Sequence, residues 1–121
     1  TITGNICTYD NEYGIYIDSG SNTITGNTCN SSKMGIRISG SSNTATGNTC
    51  NNNDYGIYIY GSSNTITGNT CIRGTGTSGD YTSSQSTIMA YERDNLVVGN
   101  NCMGKTPVDN GTNNTFVYNK Y

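Results

Sequence analysis

Histidine is absent from this chain of 121 residues, and charged and apolar side chains are both scarce. Without histidine, the Ser-His-Asp class of hydrolase and most protein metal sites are excluded. The net charge of −2 argues against nucleic-acid binding, which depends on Lys and Arg side chains that neutralise phosphates. No apolar run approaches the roughly 20 residues of a membrane-spanning helix, so we expect no membrane insertion.

The apolar share of the sequence, 31%, is low for a globular domain, in which about 45–50% is typical. Disordered chains combine such a composition with high charge and no periodicity. Here only 12% of the residues are charged, and the apolar residues recur at regular intervals. A solenoid explains both features, because its core is a thin column that needs few apolar residues in each turn.

One motif, Asn-Thr-Ile-Thr-Gly-Asn-Thr-Cys, recurs along the chain in full or diverged form. Its copies lie at 1–7, 22–29, 43–50, 64–71, 95–102 and 114–119. The second asparagine of each copy gives steps of 22, 21, 21, 31 and 19 residues. A period of this size is typical of a stacked repeat architecture.

A second motif, Gly-Ile-x-Ile, occurs once in each full coil, and its alternation predicts β-strands. Short strands joined by turns of Asn, Ser and Gly stack in parallel about 4.8 Å apart. We therefore expect three inward columns of apolar side chains. The columns are Ile15, Ile36, Ile57 and Ile88; Ile17, Ile38, Ile59 and Ala90; and Ile2, Ile24, Ala45, Ile66, Val97 and Phe116.

Two further columns follow from the repeat. An asparagine at each coil corner can donate its side-chain amide to the next copy, which predicts a ladder of Asn5, Asn27, Asn48, Asn69, Asn100 and Asn119. The preceding glycine permits a bend that a Cβ would make costly. The cysteines also share one coil position, namely Cys7, Cys29, Cys50, Cys71 and Cys102. We expect them to be buried free thiols, since their spacing follows the repeat and not a metal-binding pattern.

The repeats resemble those of NosD-like and pectin-lyase-like proteins, which form right-handed parallel β-helices. This resemblance implies an all-β fold, a right-handed parallel β-helix (solenoid) of about five coils of 21–22 residues. Because NosD-like proteins serve copper sites, a column of thiolates that binds Cu(I) is an alternative interpretation of the cysteines. We expect no resident metal or other cofactor.

The domain organisation is expected to be simple. Residues 1–121 form a single β-helix segment with a flexible loop insertion at about 72–86. The segment is expected to be an excerpt of a longer chain. Its ends suit end-to-end self-association or continuation into flanking coils, because a bare coil end exposes strand edges.

No set of catalytic residues emerges from the sequence. Glu12, Lys33 and Asp54 fall at one position on successive coils. The two carboxylates would be near 10 Å apart with a lysine between them, whereas glycosidases place two carboxyl groups about 5–9.5 Å apart. We interpret the three side chains as mutual charge neutralisation. The insertion at 72–86 is either a binding loop or an extension without a function of its own. Its residues with side chains suited to ligand binding are Arg73, Asp80 and Tyr81.

A candidate glycan surface lies on the outer side of the Gly-Ile-x-Ile strands. The residue between the paired isoleucines points outward, which predicts a column of Tyr16, Arg37, Tyr58 and Met89. Tyr13, Met34 and Tyr55 form a parallel column, flanked by Tyr60 and Tyr91. Tyr16 and Tyr58 should stand about 9–10 Å apart, roughly two sugar units, with Arg37 between them. Alternatively, Arg37 stacks between the two rings only as a cation–π sandwich.

From these features we expect a non-catalytic carbohydrate-binding or architectural β-helix segment of an extracellular or cell-surface protein. A periplasmic location is the alternative. Polysaccharide is the expected partner. The first alternative is a part of a polysaccharide lyase or hydrolase. The second is an ice-binding solenoid that uses the outward Thr-x-Thr pairs, a pattern that also simply suits exposed strands.

Overall fold

The computed structural model describes residues 1–9 and 11–121 and contains short parallel strands joined by tight corners. The strands are β1 (Ile2–Thr3), β2 (Ile6–Thr8), β3 (Tyr13–Ile17), β4 (Thr23–Thr25), β5 (Thr28–Asn30), β6 (Met34–Ile38), β7 (Thr44–Thr46), β8 (Tyr55–Ile59), β9 (Thr65–Thr67), β10 (Ser86–Ala90), β11 (Leu96–Val98), β12 (Val108–Asp109) and β13 (Thr115–Val117). Apart from one 3₁₀ turn at Ser78–Asp80, the described residues contain no helix. Accordingly, no helix in this part of the chain could cross a membrane.

The strands stack in three parallel sheets, which together form a β-solenoid of about five turns. One sheet has the order β1-β4-β7-β9-β11-β13, and a second has the order β12-β10-β8-β6-β3. The third sheet pairs β2 with β5 and continues as single bridges from Thr28 through Thr49 and Thr70 to Asn101. The predicted parallel β-helix is therefore confirmed.

The three predicted apolar columns pair in register. Ile15 pairs with Ile36, Ile17 with Ile38, and the same alignment continues through β8 and β10. Ile24 pairs with Ala45 in the first sheet. Side chains of these columns and of four cysteines form one buried cluster along the solenoid axis. The core consists of small and branched side chains because each coil encloses little space.

Glycine is required at two different positions for two different reasons. Gly47, at a corner, has φ +62°, and a Cβ there would meet nothing within 4 Å. Gly35, at the start of an inward strand, would place a Cβ 2.6 Å from the carbonyl oxygen of Gly56 in the next coil. The first glycine supplies a left-handed turn, and the second permits close approach of neighbouring coils.

The predicted asparagine ladder closes the corner after each Thr-x-Thr strand. The Asn27 side-chain amide donates to Oδ1 of Asn48 at 3.0 Å, and the Asn48 amide donates to Oδ1 of Asn69 at 3.0 Å. Each oxygen also accepts the backbone N–H of the preceding ladder residue, as in the bond from Asn27 to Asn48 at 3.0 Å. The same amides donate inward to carbonyl groups of the preceding coil, including that of Ile24. The inner members are almost fully buried, so the ladder satisfies polar groups that water does not reach.

Candidate functional site

The outer side of the second sheet carries an aromatic face. We define this face as Tyr13, Tyr16, Arg37, Tyr55, Tyr58, Tyr60 and Tyr91. Tyr16, Arg37 and Tyr58 are aligned on β3, β6 and β8, as predicted, and Met89 continues the column on β10. Tyr16 and Tyr60 are about half exposed. The predicted column is thus present and partly open to solvent.

Arg37 lies at the centre of this face. Its guanidinium carbon lies 5.4 Å from the ring centroid of Tyr13, 5.3 Å from that of Tyr16 and 6.0 Å from that of Tyr58. Its Nη1 donates to the hydroxyl of Tyr13 at 3.0 Å, and its Nε donates to Oγ of Ser39 at 3.1 Å. Arginine has five N–H donors, so three have no acceptor among the described residues. The cation–π sandwich therefore forms and still leaves donors for a ligand.

The aromatic contacts extend across successive coils. The ring of Tyr58 lies 5.3 Å from that of Tyr55 and 5.3 Å from that of Tyr91, and Tyr60 lies 5.8 Å from Tyr91. Burial, with a hydrogen bond to Tyr91, raises the pKa of Tyr58 to about 12. Tyr58 is therefore a neutral phenol at physiological pH. The rings form a continuous surface of apolar faces with hydroxyl groups at their edges.

The loop at 72–86, expected to be flexible, is held by hydrogen bonds. Oδ2 of Asp80 accepts four bonds from the backbone and hydroxyl groups of Thr75 and Thr77, between 2.9 and 3.2 Å long. These bonds, first of all that from the Thr77 backbone, lower the pKa of Asp80. The Tyr81 hydroxyl accepts the backbone N–H of Arg73 and donates to the carbonyl of Met103. Asp80 therefore bonds within the loop, and Tyr81 connects the loop to the segment that follows Cys102.

Arg73, the third candidate of the loop, lines a polar groove. This corner groove has a volume of about 450 Å³ and lies at the corner that precedes β3, β6 and β8. Its lining residues are Asn11, Ser31, Ser32, Lys33, Asn52, Asp54 and Arg73. Nη1 of Arg73 donates to the carbonyl of Asn53 at 3.1 Å and lies 3.7 Å from Oδ1 of Asp54.

The expected neutralisation of Glu12, Lys33 and Asp54 is wrong in its pairing. Oδ1 of Asp54 accepts a hydrogen bond from Nε2 of Gln85 at 2.8 Å and lies 3.7 Å from Nη1 of Arg73. No described residue forms an ion pair with Lys33. Glu12 accepts the hydroxyl of Tyr13 at 3.0 Å. The loop insertion brings Arg73 to Asp54, which the coil register alone does not reveal, whereas Gln85 occupies the position of Asp54 in the next coil.

The Thr-x-Thr pairs line the outer side of the first sheet. Thr23, Thr44 and Thr65 align across three coils, and Thr25, Thr46 and Thr67 align beside them. Leu96 and Val98 follow in register on β11 and end the hydroxyl array. The array is therefore regular over three coils.

The cysteines line the interior as free thiols. Cys7 and Cys29 pair in register, and four of the five cysteines are fully buried, with Cys7 partly exposed. Burial raises the pKa of Cys102 to about 11. A hydrogen bond to the thiol of Cys50, together with burial, raises the pKa of Cys29 well above its usual range. The thiols of Cys29, Cys50 and Cys102 are thus protonated at neutral pH.

Comparison with known protein families matches residues 1–121 to the family described as "Periplasmic copper-binding protein (NosD)". The chain belongs to the NosD family. A search of curated proteins found no match, and a search of solved structures found none. Membership agrees with the parallel β-solenoid, and it leaves the ligand of this particular member open.

The copper in the NosD family description does not fit the residues of this chain. The described residues contain no group of three or more His, Cys, Asp or Glu side chains that could hold a metal, and the chain has no histidine. Four of the five thiols that could bind Cu(I) are enclosed in the core, and Cys7 is partly exposed. The methionines do not substitute for them, since Met34, Met89 and Met103 lie on β6, on β10 and in the loop after Cys102.

Sequence reasoning missed a second asparagine ladder and the corner groove. Asn22 donates its backbone N–H to Oδ1 of Asn43, Asn43 to Asn64, Asn64 to Asn95, and Asn95 to Asn114. The signal was available, because this asparagine opens five copies of the motif. The groove had no comparable signal, since Arg73 lies in the one irregular coil.

Proposed function

We propose that this NosD-family chain is a non-catalytic carbohydrate-binding segment whose ligand lies along the aromatic face. The observation that carries this proposal is the set of tyrosine rings that contact one another on either side of Arg37 and the guanidinium that lies between them. Tyrosine rings present apolar faces to sugar C–H groups, and their hydroxyls hydrogen-bond at the rim. The free N–H groups of Arg37 would pair with a sugar hydroxyl or carboxylate. The solenoid holds these groups at the spacing of its strands, so little ordering is needed on binding.

The location that suits this role is outside the cytoplasm, either in the periplasm or at the cell surface. The family description names the periplasm. Asparagine-rich corners and a low charge density are compatible with such an exposed polar segment, and polysaccharides are ligands found there.

The test is a titration of the protein with short acidic and neutral oligosaccharides, followed by tyrosine fluorescence and by amide chemical shifts. The double variant Tyr16→Ala/Tyr58→Ala should remain folded, because both rings lie outside the core. It should lose about 5- to 150-fold in affinity, since each ring contributes about 0.5–1.5 kcal/mol. The control Tyr118→Ala removes a ring that is 90% exposed and distant from the face in sequence. Absence of binding to any oligosaccharide at millimolar concentration would refute the proposal and leave an architectural role.

A second candidate function is ice binding by the outer threonines, favoured by the alignment of β4, β7 and β9. Inhibition of ice recrystallisation by the chain, lost in Thr46→Lys, would support it. A lyase or hydrolase role has less support, since Asp54 is held by Gln85 and Arg73 and Glu12 by Tyr13.

A further inference from the structure

The corner groove contains more hydrogen-bond donors than acceptors. The ammonium group of Lys33 forms neither a hydrogen bond nor an ion pair with any described residue. Arg73 uses one nitrogen for the carbonyl of Asn53, and its other N–H groups have no acceptor among the described residues. Oδ1 of Asn52 accepts the backbone N–H of Gly74, so its amide hydrogens remain available to a ligand. The groove therefore favours a group that only accepts hydrogen bonds.

A buried hydroxyl gives a second and independent indication of a ligand. Ser32 is 7% exposed, and its Oγ has no hydrogen-bond partner among the described residues. The backbone around it is satisfied, since its N–H donates to Oδ1 of Asn53 at 2.8 Å. This oxygen is covered by neighbouring atoms, so a ligand's acceptor reaches it only when the groove wall shifts. That contact would offset the roughly 1–3 kcal/mol that an unpartnered buried hydroxyl costs.

The charge of the groove selects the sign of this ligand. Lys33 and Arg73 each carry a positive charge, and among the described residues of the lining only Asp54 carries a negative charge. The carboxylate of Asp54 is already approached by Arg73 and by the amide of Gln85. In a chain with net charge −2, this groove is a local positive site. An anionic oxygen group fits it better than a neutral sugar ring does.

The groove also adjoins the aromatic face. Lys33 and Asp54 immediately precede β6 and β8. Arg37 and Tyr58 lie on the outer side of these two strands. We propose that the corner groove is a subsite for the carboxylate of an acidic saccharide that lies on the aromatic face. This inference rests on the proposed carbohydrate binding and adds its ligand class, a uronic-acid-containing glycan. Ser32, Lys33 and Arg73 are the groups that bind the carboxylate.

The experiment compares two ligands on the full chain by calorimetry, a short oligo-uronate and the same oligosaccharide with its carboxyl groups reduced to alcohols. We expect the oligo-uronate to bind about tenfold more tightly, the difference that charge-assisted hydrogen bonds produce. Lys33→Gln and Arg73→Gln should each reduce this preference at least threefold. Lys120→Gln, which makes the same charge change at an exposed residue outside the groove, should leave the preference unchanged.

Ser32→Ala separates binding from folding. It removes a hydroxyl without a partner, so its stability should equal or exceed that of the parent chain. Its preference for the oligo-uronate should nevertheless fall. Unfolding by urea and calorimetry on the same sample give the two readouts.

The outcomes distinguish this inference from the proposed function. Equal affinity for the two oligosaccharides, or a preference that Lys120→Gln also reduces, refutes the carboxylate subsite while carbohydrate binding stands. Shifts of the Ser32 amide with acetate or sulfate but with neither oligosaccharide would show an oxyanion site only and refute both proposals. Absence of any binding also refutes both.

Discussion

Replacement of Asn48 by alanine tests whether the corner ladder stabilises the solenoid. Asn48 is 1% exposed and links three coils. Its Oδ1 accepts the backbone N–H and the side-chain amide of Asn27, each at 3.0 Å. Its own amide donates to the carbonyl of Ile24 at 2.9 Å and to Oδ1 of Asn69 at 3.0 Å. Alanine removes these four bonds and a fifth, from the Asn48 amide to the carbonyl of Thr46 at 3.3 Å, and introduces no clash.

The expected loss follows from the groups left without a partner. The buried N–H of Asn27 loses its acceptor, and the carbonyl of Ile24 loses a donor. The Asn27 amide keeps the carbonyl of Ile2, and Oδ1 of Asn69 keeps the backbone N–H of residue 48. Each stranded buried group costs about 1–3 kcal/mol, so the free energy of unfolding should fall by about 2–5 kcal/mol.

The assay is urea unfolding followed by far-ultraviolet circular dichroism under reducing conditions, with two comparison variants. Asn43→Ala removes one accepted bond, from the N–H of Asn22, and also removes an amide nitrogen that has no partner, so it should cost less. Thr46→Ala changes an outward strand residue and should cost under about 1 kcal/mol. An unchanged midpoint for Asn48→Ala, or a larger loss for Asn43→Ala, would contradict the ladder interpretation.

Further predictions concern glycine, pH and thiol access. Gly35→Ala should destabilise the protein far more than Gly47→Ala does. A Cβ at Gly35 would lie 2.6 Å from a carbonyl oxygen, whereas one at Gly47 costs only the strain of a positive φ, about 1 kcal/mol. Equal losses of melting temperature in the two variants would contradict this reasoning. The pKa of about 11 at Cys102 exceeds that of an unfolded thiol. The stability that the protonated Cys102 thiol contributes is therefore complete below about pH 9. It is lost as pH rises toward 11, at up to about 1.4 kcal/mol per pH unit. In Cys102→Ala, the free energy of unfolding measured in urea should fall less steeply with pH over this range. Cys7 should react with a thiol reagent before the four buried cysteines do, and rapid native labelling of Cys50 would show that the column is open.

The repeat period was sufficient to derive the architecture. Each coil repeats its neighbour, so one alignment of asparagines predicts which side chains stack throughout the chain. The pairing of Ile15 with Ile36 and of Tyr16 with Arg37 follows from that alignment and is confirmed. The same reasoning predicts the amide bonds of the first ladder, because equivalent asparagines in adjacent coils lie one strand spacing apart.

The contacts made by the irregular coil could not be predicted from the sequence. The loop at 72–86 breaks the period, so its contacts depend on how the extra residues fold back. The chain path brings Gln85 and Arg73 to Asp54, Tyr81 to Met103, and leaves Lys33 unpaired. The contact of Gln85 with Asp54 joins equivalent positions of successive coils, whereas those of Arg73 with Asp54 and of Tyr81 with Met103 do not.

By itself, the sequence determined the parallel β-solenoid, its inward columns and its aromatic face, because in a repeat protein lateral neighbours are set by the period alone. Only the tertiary structure decided which polar groups lack partners. The donors of the corner groove come together where Arg73 enters from the irregular coil, whereas the unpartnered hydroxyl of Ser32 lies in a regular coil, at the position where the next coil has Asn53. Their physical reason is that hydrogen-bond satisfaction depends on the three-dimensional positions of both partners, and an insertion places new partners on some groups while leaving others without any.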